Sequence, residues 1–255
     1  MNLLAIETST DACSVALRCG GETRVDHRLE PRRHAQLVLP MIDALLAEAG
    51  LARAALDGVA FGRGPGSFTG VRIAASVTQG IALGLDIGVV GVSTLATLAQ
   101  GCLREFGDTR VGVALDARLD EIYWGAFRAT EGGVVRPCTA ERVCAAETAT
   151  VDDAGDGSGD GDVPSPAKAD GGREVWRLVG PGAERYLDTL ASALGPDAGV
   201  ALRAGRWPDA RDTLALAEVA IAAGGLEPAE RAVPVYLRER VALTEVERGV
   251  GAGKG

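Results

Sequence analysis

Residues 62–84 read GRGPGSFTGVRIAASVTQGIALG. Four glycines, Gly62, Gly64, Gly66 and Gly70, surround Pro65, Ser67 and Thr69, so the backbone is free to take positive φ and to line up N–H groups just ahead of a helix. Two readings follow. The turn holds an anion at a helix N-terminus, or it is a sharp strand-to-helix junction with Ser67 or Thr69 as N-cap; the local residues favour the second. The helix that starts at Phe68 carries Gly70, Ala74, Ala75, Ser76, Gly80, Ala82 and Gly84. With so little bulk on several of its faces, another helix can approach it closely.

Working outward, 255 residues with 47% hydrophobic content suffice for one large domain or two smaller ones. The N-terminus, MNLLAIETST, has no basic region ahead of an apolar stretch, and the apolar runs elsewhere are short or broken by glycine. The expectation is a cytoplasmic protein. Five cysteines, Cys13, Cys19, Cys102, Cys138 and Cys144, form no CxxC pair, which suits reduced thiols better than disulfides or zinc. The two lysines, Lys168 and Lys254, lie outside any glycine-rich turn, which excludes a P-loop. The net charge is −9, and residues 151–175 account for −5 of it. Neither part of the chain shows the broad basic face that nucleic-acid binding by this chain alone requires.

Strands are expected at 3–7, 13–18 and 23–29, then a helix over 33–49 with Val38, Met41, Ile42, Leu45 and Leu46 at three-four spacing. Pro40 inside that helix is expected to kink it. A strand at 58–62, a helix at 68–84, a strand at 88–92 and a helix at 93–104 complete a β-β-β-α-β-α-β-α order. Strands at 111–115, 121–128, 134–137, 176–179 and 200–202, with helices at 183–194 and 213–223, repeat it less fully. Residues 151–172, rich in Gly, Asp, Pro and Ser, read as a disordered acidic insertion. The chain thus divides into 1–108 and 109–245, with a flexible tail at 246–255. This is an α/β protein whose two tandem units, the second degenerate, resemble the actin-like ATPase and sugar-kinase (ASKHA) fold.

Six segments make the resemblance specific: LLAIETSTDACSVAL (3–17), RRHAQLVLPMIDALL (32–46), GRGPGSFTGVRI (62–73), GVSTLATLAQG (91–101), ALDARLDEIYW (114–124) and PVYLRERVA (234–242). In type and order they resemble the TsaB family, which serves in bacterial synthesis of threonylcarbamoyladenosine in tRNA. The resemblance implies a non-catalytic subunit, without cofactor or metal, that binds and activates the metal-bearing paralogue TsaD beside the small ATPase TsaE. It meets tRNA only through that complex, and a homodimer is possible in isolation. TsaD carries two histidines four residues apart on a helix. Here the only histidines are His27 and His34, seven apart, and the corresponding helix reads Ser93, Thr94, Leu95, Ala96, Thr97, Leu98, Ala99, with no metal-ligand spacing.

A nucleotide site is expected only in vestigial form. Thr8 and Ser9 keep the flavour of a phosphate turn, and Gly180 with Gly182 resembles an adenosine-side turn or a plain strand-helix junction. The counterpart turn around Asp116 and Arg118 carries Asp116, Asp120 and Glu121 and no glycine, so like charge opposes phosphate. Ser67 is no nucleophile elbow, because Pro65 and Thr69 flank it rather than glycines. An ATP-dependent kinase of the same fold and a glycoprotease-like peptidase stand as the alternatives. The partner interface implied by the family falls on the first two helices, at His34, Leu37, Val38, Met41, Leu45, Gly70, Val71, Ala74, Ala75 and Thr78. From residues alone, covering the sheet is the favoured reading of those apolar faces, and the family resemblance reverses it.

Overall fold

The computed structural model describes residues 1–151, 175–196 and 198–238. The expected acidic insertion, apart from Val151, and the expected tail lie outside the described residues. The first half contains β1 (Leu3–Glu7), β2 (Ala12–Cys19), β3 (Glu22–Leu29), α1 (His34–Glu48), β4 (Gly58–Gly64), α2 (Phe68–Leu85), β5 (Gly88–Ser93) and α3 (Thr94–Phe106). The second contains β6 (Arg110–Arg118), β7 (Glu121–Ala129), β8 (Val135–Pro137), β9 (Arg142–Ala145), β10 (Val175–Val179), α4 (Pro181–Arg185), α5 (Leu187–Leu194), β11 (Gly199–Arg203) and α6 (Ala210–Ala222).

The strand order shows the internal repeat. The first sheet runs β3-β2-β1-β4-β5 and the second β8-β7-β6-β10-β11, with β9 pairing β7 off this path. In each, a central strand pairs antiparallel with the next in sequence and parallel with a later one: β1 with β2 and β4, β6 with β7 and β10. β1 is apolar from Leu3 to Ile6 because both its faces are covered, and it ends on the buried Glu7. Leu4 and Ile6 join the core under α1 and α2, while Leu3 and Ala5 meet α6.

Helices are exchanged between the halves. α3 follows β5 of the first sheet yet packs on the second through Leu95, Leu98 and Cys102, against Val111, Val113 and Phe127. α6 follows β11 of the second sheet yet packs on the first through Ala210, Leu214 and Ala217. Thr97 Oγ1 and Thr213 Oγ1, 3.2 Å apart, join the two helices, as does Arg104, whose Nε donates to Asp212 Oδ1 at 2.7 Å. Burial raises the Asp212 carboxyl pKa in spite of that pair, so the bond fixes helix position more than it adds net stability. The expected division at residue 108 falls between α3 and β6, two units that share these crossed helices.

Several expectations change in detail. α1 runs continuously past Pro40, which sits on its exposed side, where the carbonyl of Gln36, left without its helical donor, faces solvent. The helix expected at 183–194 is two, α4 and α5, broken at Tyr186. β9 has no counterpart in the sequence reading, since four half-buried residues carry no clear period. Among the described residues α2 is long and apolar enough, by length and composition alone, to cross a bilayer, although it carries Gly70, Gly80 and Gly84. Its inner face, Val71, Ala74, Ala75, Thr78 and Ala82, is buried in this fold.

Candidate functional site

The turns that face the junction between the sheets are filled by the chain's own groups. Glu7, at the end of β1, is wholly buried. Ser9 N donates to its Oε1 at 2.8 Å, and Thr94 Oγ1 lies 3.2 Å from its Oε2 and 2.9 Å from Ser9 Oγ. Burial pushes the Glu7 carboxyl pKa up, with the hydrogen bonds from Ser9 and Thr94 opposing. Thr8 Oγ1 donates to Gly70 O at 2.7 Å, and Ser67 N donates to Ser9 O at 2.7 Å.

The glycines of the 62–70 stretch make this seat possible. A Cβ on Gly62 would stand 2.1 Å from Glu7 Oε2, one on Gly66 2.3 Å from Ser9 O, and one on Gly70 2.0 Å from Thr8 O. Close backbone approach requires glycine at these positions. Ser67 is the N-cap of α2, its Oγ accepting from Gly70 N at 3.5 Å. Of the two readings of this turn, the structure therefore favours the capped junction, with the β1–β2 turn packed directly against it.

The β6–β7 turn is likewise self-contained. Asp116 Oδ1 accepts from Arg118 N at 2.8 Å, Asp120 pairs with Arg185 at 2.9 Å and Glu121 with Arg238 at 2.6 Å. Arg238 also donates to Ala117 O at 3.0 Å. Arg118, Leu119 and Asp120 all have positive φ, between 55° and 64°, a conformation that costs non-glycine residues energy and here is held by these contacts. Gly180 and Gly182 are close to β6: a Cβ on either would come within 2.5 Å and 2.9 Å of Ala114 O. Packing on β6 accounts for both glycines without a ligand.

The residues expected as a vestigial nucleotide site thus stand in separate settings. Thr8 and Ser9 bind α2, Asp116 and Arg118 bind each other, and Gly180 with Gly182 packs on β6. The contacts across the junction come from residues the sequence reading did not single out for a site. Ser93 caps α3 through its Oγ and donates the same hydroxyl's hydrogen to Glu141, and Arg63 lies 3.9 Å from Glu141. Burial raises the Glu141 pKa as well. The one available signal was Arg63, inside the glycine stretch but lacking an evident partner nearby. His27 Nδ1 lies 3.9 Å from Asp209 and His34 Nε2 3.2 Å from Ala12 O, in separate places.

The ten residues expected at a partner interface lie on the sheet-facing sides of the first two helices. His34, Leu37, Val38, Met41, Leu45, Gly70, Val71, Ala74, Ala75 and Thr78 are all buried within this chain. Their three-four spacing marks the inward stripe of each helix, which packs the sheet. The outward sides of α1 and α2 form a mostly apolar groove of about 430 Å³, lined by Val38, one of the ten, and by Ala35, Leu39, Phe68, Arg72, Ile73 and Ser76 among others. Leu39 is 51% and Phe68 56% exposed. At its rim the Arg72 guanidinium stacks 3.7 Å over the Phe68 ring and donates from Nε to Tyr236 Oη at 2.8 Å.

Comparison with known proteins agrees with this architecture. A family model described as "TsaD: tRNA N6-adenosine threonylcarbamoyltransferase" matches residues 28–243. The Escherichia coli "tRNA threonylcarbamoyladenosine biosynthesis protein TsaB" is 39% identical over 95% of this chain and 96% of its own length. The Bacillus subtilis protein of the same name is 32% identical over 52% of this chain and 57% of its own. A Pseudomonas aeruginosa structure, titled as an uncharacterized protein with similarity to peptidase YEAZ, superposes with a TM-score of 0.78 at 44% identity, covering 93% of this chain and 99% of that one. Near-complete mutual coverage at these identities means that this chain belongs to the TsaB family.

Proposed function

We propose that this chain serves in the biosynthesis of threonylcarbamoyladenosine in tRNA as a binding subunit without chemistry of its own, working in the cytoplasm. The observation that carries the reading is its full-length likeness to the Escherichia coli TsaB protein. The geometry supports the division of labour: the turns that hold phosphate in an active relative of this fold are filled here by Glu7, Ser9, Asp116 and their own partners, while the groove between α1 and α2 is open. The partner in this reading is a TsaD-type paralogue that supplies the metal and the transfer, with TsaE completing the assembly. A helix laid into the groove would cover Leu39 and Phe68, each already about half shielded, contributing about 1 kcal/mol apiece, roughly half the value for a fully exposed side chain.

The kinase and peptidase alternatives lack comparable support. Phosphate would meet Asp116, Asp120 and Glu121 at the β6–β7 turn, and the Ser67 hydroxyl is engaged as a helix cap. The test is replacement of the resident TsaB in a bacterial cell by this chain, with the modified nucleoside measured by mass spectrometry of digested tRNA. Leu39→Glu and Ser76→Glu, both on the exposed side of the groove, should leave the melting temperature unchanged, remove co-purification with the TsaD-type protein and lower the modification. Full co-purification of both variants would refute the groove assignment.

A further inference from the structure

The rim of the groove between α1 and α2 carries a cluster that covering an apolar surface does not require. Phe68 and Arg72 stand four residues apart on α2 and share a face. The Arg72 guanidinium stacks 3.7 Å over the Phe68 ring and lies 5.8 Å from the centre of the Tyr236 ring, and the two ring centres are 5.9 Å apart. Arg72 Nε donates to Tyr236 Oη at 2.8 Å. Tyr236 reaches this place from far along the chain because Val235 N donates to Arg63 O at 2.8 Å, tying the segment to β4. One of the five guanidinium N–H donors and one face of its plane are thus committed within the chain, and these contacts fix the direction of the remaining fork.

The electrostatics of this groove are one-sided. Ala35 and Leu39 line it from α1, and Phe68, Ile73 and Val77 from α2 besides Arg72, so the N-terminal halves of both helices form it. Neither helix has an acidic residue in its first turn, where one would offset the positive end of the helix dipole. Arg72 is the one charged residue among the described residues that line the groove. Its charge is held by aromatic rings and a neutral hydroxyl rather than by a carboxylate. A second copy that lays the same groove against this one in a two-fold contact brings no carboxylate from its groove residues. The counter-charge has to come from a chain of different sequence.

We propose that the groove seats a helix of a different chain that carries an aspartate or glutamate beside its apolar stripe, and that Arg72, aimed by Phe68 and Tyr236, holds this carboxylate. The proposal rests on the functional reading above and gives its partner a chemical signature, apolar residues at three-four spacing with an acid facing Arg72. Tyrosine and arginine are the residue types that dominate binding energy at protein interfaces. An arginine oriented in advance loses less freedom on pairing than a mobile one, and its planar fork matches a carboxylate with two parallel hydrogen bonds.

The test is calorimetric titration of this chain with the purified TsaD-type partner at low and high salt. Arg72→Gln should weaken binding about tenfold and reduce its dependence on salt. Tyr236→Phe removes the hydroxyl that orients Arg72, so it should weaken binding severalfold in the parent and leave it unchanged in the Arg72→Gln background, because the two side chains act as one unit. Both positions are exposed, and the free variants should melt with the parent. Arg72→Lys gives a readout independent of affinity. The sequence has only Lys168 and Lys254 besides, so carbodiimide coupling of the complex should join the substituted position to an aspartate or glutamate of the partner, identified by mass spectrometry. Coupling of that position to a second copy of this chain instead, or equal weakening by Tyr236→Phe in both backgrounds, overturns the proposal. Failure of the unaltered chain to bind the TsaD-type protein defeats the functional reading. Tight binding by the parent that Arg72→Gln leaves unchanged defeats this proposal alone.

Discussion

Gly70→Ala and Gly80→Ala make the same chemical change on the same helix and should move stability in opposite directions. At Gly70 the added methyl would stand 2.0 Å from Thr8 O, a backbone atom that cannot swing aside, and Thr8 Oγ1 would lose its bond to Gly70 O as the turn is displaced. Overpacking costs about 1–3 kcal/mol and the lost hydrogen bond about 1 kcal/mol. Replacing glycine in a helix returns at most about 1 kcal/mol, less so near the N-terminus, leaving a net loss of about 1–3 kcal/mol. At Gly80 nothing lies within 4 Å of the added methyl, so the helix propensity alone remains and the variant gains about 1 kcal/mol. In a protein of this size 1 kcal/mol moves the melting temperature by about 2–4 °C. Thermal and urea unfolding of the purified chain should therefore show Gly70→Ala melting about 2–12 °C lower and Gly80→Ala about 2–4 °C higher. A Gly70→Ala variant as stable as the parent would refute the claim that α2 is glycine-bearing at its start in order to seat the β1–β2 turn.

Two further predictions concern buried titratable groups. Because the folded pKa of Glu7 is raised above its ordinary 4.5, the native state holds that proton more tightly than the unfolded state does, and stability from this group is lost as pH rises from about 4.5 toward the folded pKa. Glu7→Gln removes that loss, so the variant should gain on the parent in urea midpoint between pH 4.5 and pH 8; a constant difference across this range would contradict the assignment. Burial pushes the Cys13 and Cys102 thiols up to about 12. At pH 8 the thiolate fraction is then about 10⁻⁴, so mass spectrometry after iodoacetamide should find both cysteines unlabelled in the native chain and labelled once it is unfolded. Rapid native labelling of Cys13 would show that the α1 side of the core opens.

Much of the fold was legible because strong local patterns coincide with tertiary needs. β1 reads as a continuous apolar run since it is buried on both faces, and α1 reads as an amphipathic helix since one side lies on the sheet. The helix start near residue 93 was recognisable from a hydroxyl pair, Ser93 and Thr94, between strand and helix, and it is the Ser93 Oγ that accepts from Leu95 N and Ala96 N. Strand pairing was not legible: the repeat of β3-β2-β1-β4-β5 as β8-β7-β6-β10-β11 depends on long-range register, which residue types do not encode. The role of the candidate interface residues was not legible for a related reason. Three-four periodicity identifies the side of a helix that is buried, and without the sheet in place it does not say whether the chain's own core or a partner covers it.

By itself the sequence determined the family, through ordered motifs of unusual composition, and it ruled out a P-loop, because two lysines outside any glycine turn cannot build one. It also determined that residues 62–70 make a glycine turn into a helix. Only the tertiary structure decided what that turn is for. Its glycines admit Glu7, Thr8 and Ser9 at distances no Cβ tolerates, so an apparent anion cradle is a packing joint. A motif is local in sequence, whereas filled space and shared charge are properties of atoms that meet only after folding.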